Sequence, residues 1–114
     1  MLRLEMDDPK QRAEAIADLA TKIAVDNTDI NDLILRAMDD KSVLVREQAL
    51  FGWVYRQGED AMPELQQALL DPEMTVRMKA VDLTQDRALL TLAITDSNEL
   101  VRQLAKMKLD ALVQ

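Results

Sequence analysis

The sequence predicts an all-α protein: a solenoid of stacked antiparallel helix hairpins in one domain spanning residues 1–114. Composition is the first reason. Two glycines and three prolines punctuate the chain, and Ala, Leu, Met, Gln, Glu, Asp, Lys and Arg dominate the rest. Those residues favour helix, and the alternating β-branched runs of strands are missing. The second reason is a repeat. Ile34, Ala37, Met38, Asp40, Val45, Arg46 and Ala49 share their spacing with Leu65, Ala68, Leu69, Asp71, Val76, Arg77 and Ala80. They share it again with Leu90, Ala93, Ile94, Asp96, Val101, Arg102 and Ala105, so the periods are 31 and 25 residues. Self-similarity at such a period marks a solenoid. The third reason is what the spacing means. The apolar set before each Asp is the buried stripe of one helix, and Val and Ala after it are the stripe of the next. The Asp lies where the chain turns. One hairpin cannot bury its own apolar face, so hairpins must stack.

The elements follow in order. Residues 9–25 read as a helix, with Asp8 as N-cap, Pro9 in the first turn and Ile16, Leu19, Ala20 and Ile23 as its stripe. Arg12 and Ala15 echo the Arg-x2-Ala of the repeat, but Asp8 lies two residues too close to Arg12. This helix is expected to be a degenerate first repeat that caps the N-terminal end. A turn at 26–29 leads to a helix at 29–38 opened by Asp29, Asn31 and Asp32. The acids there resemble a calcium loop superficially, but the glycine and terminal glutamate of such loops are missing. Helix capping explains them.

The central helix, residues 42–57, holds all three aromatic residues. Trp53 falls on the face of Val45 and Ala49 and is expected in the core. Gly52 shares that face, and its cost in a helix points to close approach of a neighbour. Leu44, Gln48, Phe51 and Tyr55 occupy the other face. Gly58 suits a left-handed C-cap. Helices are then expected at 61–70, capped by Asp60, from Asp71-Pro72 to about 83, and at 86–95. The short link Thr84-Gln85-Asp86 implies that one of the last two is trimmed. The final helix, 97–112, opens with a capping-box-like pair, Asp96 and Glu99. Its apolar residues cover more than one face, so it is expected to meet a partner or a second copy, unless the solenoid continues beyond it.

The repeated residues resemble the HEAT-repeat family, most closely the short bacterial HEAT-like repeats of phycobilisome lyases. Ala61-Met62-Pro63 opening one helix and Asp71-Pro72 opening another add to the likeness, which covers roughly residues 26–114. The resemblance implies a right-handed superhelix of about three repeats plus the N-terminal capping helix. It also implies that Asp40, Arg46, Asp71, Arg77, Asp96 and Arg102 form a structural ladder. Each Asp is expected to cap its helix, and each Arg to reach that Asp or the one in the adjacent repeat.

Composition narrows the function. The formal charge is −7, and acids are spread along the chain. Backbone attraction supplies most non-specific nucleic-acid affinity, so an acidic chain is a poor candidate for that role. HEAT-like DNA glycosylases use a basic concave face, the opposite charge. With no histidine and no cysteine, the usual general base, thiol nucleophile and metal ligands are missing. With two glycines there is no phosphate loop. No cofactor or metal is expected, and seven methionines read as core filler. No window approaches a membrane span or a signal peptide, so a cytoplasmic location is expected.

The expectation is a non-enzymatic scaffold that binds a protein or peptide on a surface of second helices. Phe51, Tyr55, Lys79, Asp82, Leu104 and Met107 share related offsets from the Val of each repeat and are its candidate contacts. The alternative is an accessory subunit or chromophore-lyase-like component, suggested by the resemblance alone; nucleic-acid binding ranks below it.

Overall fold

The structure is a computed structural model that describes Leu4 and residues 6–113. It is helical throughout, with no strand among the described residues. The helices are α1 (Pro9–Lys22), α2 (Thr28–Ala37), α3 (Val43–Gln57), α4 (Met62–Ala68), α5 (Met74–Leu83), α6 (Arg87–Ala93) and α7 (Glu99–Leu112). A 3-10 turn over Gly58–Ala61 lies between α3 and α4. The chain forms two compact units, Met1–Met62 and Pro63–Gln114.

In the first unit α1, α2 and α3 pack pairwise. The core takes Ala13, Ile16 and Ala20 from α1, Ile30, Leu33, Ile34 and Ala37 from α2, and Val45 and Ala49 from α3. Trp53 packs against this core, half-buried, as its place beside Ala49 leads one to expect. A close approach falls at Gly52. A Cβ there would lie 2.6 Å from the Cβ of Ala20, so α1 and α3 meet where neither has bulk. Asp8 caps α1 by accepting a hydrogen bond from Lys10 N at 3.0 Å, with Pro9 at the first helical position. Asn27 rather than Asp29 caps α2, accepting from Ile30 N at 3.1 Å. Gly58 ends α3 with φ +57°, a conformation that a side chain would strain.

In the second unit α5, α6 and α7 pack on one another. Val81, Leu90, Ala93, Val101 and Ala105 form the core, with Leu69, Met74, Met78, Ile94, Leu104 and Leu109 packed against it. The six-residue drop in repeat length has two sources. The helix α5 has 10 residues where α3 has 15, and the link at 84–86 is one residue shorter than Gly58–Ala61. Thr84 makes the short link work. Its hydroxyl accepts from Asp86 N at 3.1 Å, and Asp86 then caps α6 through Leu89 N at 3.0 Å.

Candidate partner-binding surface and its frame

The three repeated Asp residues do not cap helices. Each stands two residues before the N-cap, and its Oδ1 accepts the N-cap's own backbone N–H. The bonds are Asp40 to Ser42 N at 2.8 Å, Asp71 to Glu73 N at 2.9 Å and Asp96 to Asn98 N at 2.8 Å. They are Asx turns that aim the chain into α3, α5 and α7. The expected Asp96–Glu99 box is replaced by Asn98, whose side chain accepts from Leu100 N and Val101 N. Glu99 instead accepts from Gln103 Nε2 at 3.2 Å.

The arginines follow one rule. Each is the fourth residue after an N-cap, and its Nη1 reaches back to main-chain carbonyls. Arg46 donates to Asp40 O at 2.9 Å and Lys41 O at 3.2 Å. Arg77 donates to Asp71 O at 2.9 Å and Pro72 O at 3.3 Å, and Arg102 to Asp96 O at 2.7 Å. Arg12 does the same with Met6 O at 3.0 Å and Asp7 O at 2.9 Å. The carbonyl six residues back is the anchor, so no Asp is needed at that position and Asp8 is not the equivalent residue.

In Arg12 and Arg77 the rest of the guanidinium binds an Asp further along. Arg12 Nε and Nη2 donate to Asp40 Oδ2 and Oδ1 at 3.2 and 3.0 Å. Arg77 Nε and Nη2 donate to Asp96 Oδ2 and Oδ1 at 2.9 and 3.3 Å. A cation in the first turn of a helix opposes the helix dipole by about 0.3–1 kcal/mol. A bidentate carboxylate and one or two carbonyls outweigh that cost. Burial raises the Asp40 pKa. The Arg12 hydrogen bond, the Ser42 N–H and the charges of Arg12 and Lys41 overcome it and hold the carboxyl below 3.8.

Two further cations close helix C-termini. Arg56, buried, donates to Ala20 O at 3.0 Å, Ile23 O at 2.7 Å, Ala24 O and Asn31 Oδ1 at 2.6 Å. It thus covers the end of α1, where the orphan carbonyls carry partial negative charge. Lys108 does this for α5, with Nζ donating to Val81 O, Asp82 O and Thr84 O at 2.9, 2.6 and 2.6 Å. Burial lowers the Lys108 pKa, and the Asp82 charge works against that. The first turn of α2 is used in the same frame. Asn31 accepts Arg56 Nε and donates to Val25 O at 3.0 Å.

The candidate contact residues lie on α3, α5 and α7, and of them Asp82 also lends its carbonyl to Lys108. Phe51 and Tyr55 form a tilted ring pair, centroids 6.2 Å apart. Phe51 is half-buried, while Tyr55 is 57% exposed. Leu44, exposed on the same helix face, extends their stripe. Beside it a groove of about 270 Å³ runs between α1 and α3, lined by Lys10, Ala13, Glu14, Ala17, Leu44 and Gln48. On α5, Lys79 is half-buried and Asp82 exposed. On α7, Met107 is 67% exposed, whereas Leu104 is half-buried against the core. Leu100, 56% exposed and absent from the six predicted contacts, stands on the outward face with Met107. The six predicted contacts are thus divided between the two units: Phe51 and Tyr55 in the first, the other four in the second. The anchoring roles of Arg12, Arg56 and Lys108 are additions from the structure; only Arg12 carries a signal in the sequence, as an arginine four residues after a capping Asp.

No known family model, curated protein or solved structure matches this chain.

Proposed function

We propose that this protein is a non-enzymatic interaction scaffold of the HEAT-like α-solenoid kind, acting in the cytoplasm on a protein or peptide partner. The observation that carries the reading is the exposed aromatic stripe of α3. Tyr55 and Leu44 stand in solvent and Phe51 half so, although Phe51 pairs its ring with Tyr55. Aromatic residues on a rigid helix are efficient contact residues, because they present a large area and lose little rotamer freedom on binding. The repeated arginine anchors support the repeat reading within each unit. In this reading Asp40, Arg46, Asp71, Arg77, Asp96 and Arg102 serve the frame. Phe51, Tyr55, Lys79, Asp82, Leu104 and Met107 serve the partner.

The test is retention on immobilised protein from a lysate of its own source, beside Phe51→Ala/Tyr55→Ala shown by circular dichroism to be folded. The expected result is a protein held by the wild type and lost by the variant. Equal retention by both would overturn the placement on α3. No retained protein would overturn the scaffold reading.

A further inference from the structure

The outward face of α7 carries a pattern of its own. Leu100 and Met107 are seven residues apart and both exposed. Two turns of helix bring them to one face, about 10.5 Å apart along the axis. Along the flank of that stripe run Glu99 and Lys106, also exposed and also seven apart. Lys106 meets no carboxylate among the described residues. The Glu99 carboxylate accepts from the neutral amide of Gln103 and pairs with no cation among the described residues.

We infer that α7 pairs antiparallel with α7 of a second copy of this chain. A two-fold axis through the middle of the stripe sets Leu100 of each copy against Met107 of the other. The same operation keeps the flanks on one side, so each Glu99 faces a Lys106. The face is therefore self-complementary in its apolar and charged residues, as an isologous contact requires. Other helices do not share this. At the same repeat positions α3 carries Val43 and Leu50 in place of Glu99 and Lys106. The corresponding face of α5 presents Thr75, Lys79 and Asp82. Of α3, α5 and α7, the charge pattern that selects a second copy belongs to α7. The inference gives Met107 of the proposed partner contacts to a second copy instead; it does not rest on the α3 stripe and stands whatever that stripe binds.

Fourteen residues of helix span about 21 Å, so the contact lies at the small end of specific interfaces and the dimer is weak, with Kd between about 10 µM and about 1 mM. Sedimentation equilibrium from about 10 µM to about 1 mM should show a monomer–dimer equilibrium. Met107→Asp should leave only monomer. Glu99→Lys alone and Lys106→Glu alone should each weaken dimerisation by about tenfold or more, since symmetry places two like-charge contacts in each dimer. Glu99→Lys/Lys106→Glu together should restore it to within about threefold of wild type. The Glu99→Lys change also frays the helix, because it puts a cation in the first turn. That defect persists in the double variant, so recovery there reports pairing rather than folding. A wild-type chain that stays monomeric at about 1 mM would overturn the inference. So would single reversals whose loss the double reversal does not recover.

Discussion

Arg77 joins two turns, and its removal tests the frame directly. Its Nη1 holds the 71–72 turn through two carbonyls, and its other nitrogens fork onto Asp96. The exposed ion-pair regime, worth about 0–1 kcal/mol, does not apply here. The Arg77 and Asp96 side chains are 13% and 9% exposed. Removing one partner of a buried pair costs about 3–5 kcal/mol, because the other charge is left without compensation. Asp96 keeps the Asn98 N–H, which places Arg77→Ala near the lower end, about 3 kcal/mol. Unfolding entropy of about 2.1 cal/mol/K per residue gives about 0.24 kcal/mol/K for this chain, so Tm should fall by about 12 °C. Arg77→Lys keeps the charge but loses the fork, and should fall between Ala and wild type. Thermal melts by circular dichroism, with urea titrations at fixed temperature, measure both. A Tm for Arg77→Ala within about 2 °C of wild type would refute the reasoning. Below the melting range the variant should keep whatever partner the wild type holds.

Three other perturbations have defined outcomes. Gly52→Ala sets a helix-propensity gain of about 1 kcal/mol against a Cβ–Cβ distance of 2.6 Å, and neither atom can swing aside. Overpacking of this kind costs about 1–3 kcal/mol, so the variant should be less stable in urea; a stabilised one would show that α1 slides freely over α3. Arg56→Met keeps the stem and removes the cation from three carbonyls and the Asn31 amide; a loss of about 3 kcal/mol is expected, with amide exchange fastest in the last turn of α1. Unchanged exchange there would remove Arg56 from the role of helix closure. Asp40 has a folded pKa below its ordinary 3.8, so its contribution is complete above about pH 4 and fades as pH falls through the folded value. The stability of Asp40→Asn should therefore decline less steeply than wild type below about pH 4, as urea midpoints across that range would reveal. Parallel declines would contradict this.

The helices are legible in the sequence because their signals are local. Asp8-Pro9, the Val and Ala spacing and Gly58 each act within a turn of chain, and each helix stands within a few residues of its expected place. The turns mislead where two local geometries compete for the same residue. An Asp before a helix can stand at the N-cap itself and bond N–H groups of the first turn, or two residues earlier and bond the N-cap's own N–H, as an Asx turn; Asp40, Asp71 and Asp96 take the second place. Arg56 and Lys108 are out of reach for another reason. Their acceptors lie 24 to 36 residues away on a different helix, and no spacing in the sequence records that pairing. The exposure of Phe51 and Leu104 is undecidable from periodicity. Both lie at the margin of the buried stripe, and only packing sets which way each leans.

The position of Arg56 has a consequence for how the chain is made. The helix α1 ends at Lys22, but the group that closes its last carbonyls is added 34 positions later and on another helix. During vectorial synthesis α1 can coil as soon as it emerges, yet its final turn stays open to water until α3 is complete to its last turn. The carbonyls of Ala20 and Ile23 can gain their closing partner only after residue 56 has been added. A chain truncated one turn short of Arg56 should retain the three helices and lose this closure, which makes residue 56 the natural point at which the first unit becomes a cooperative whole.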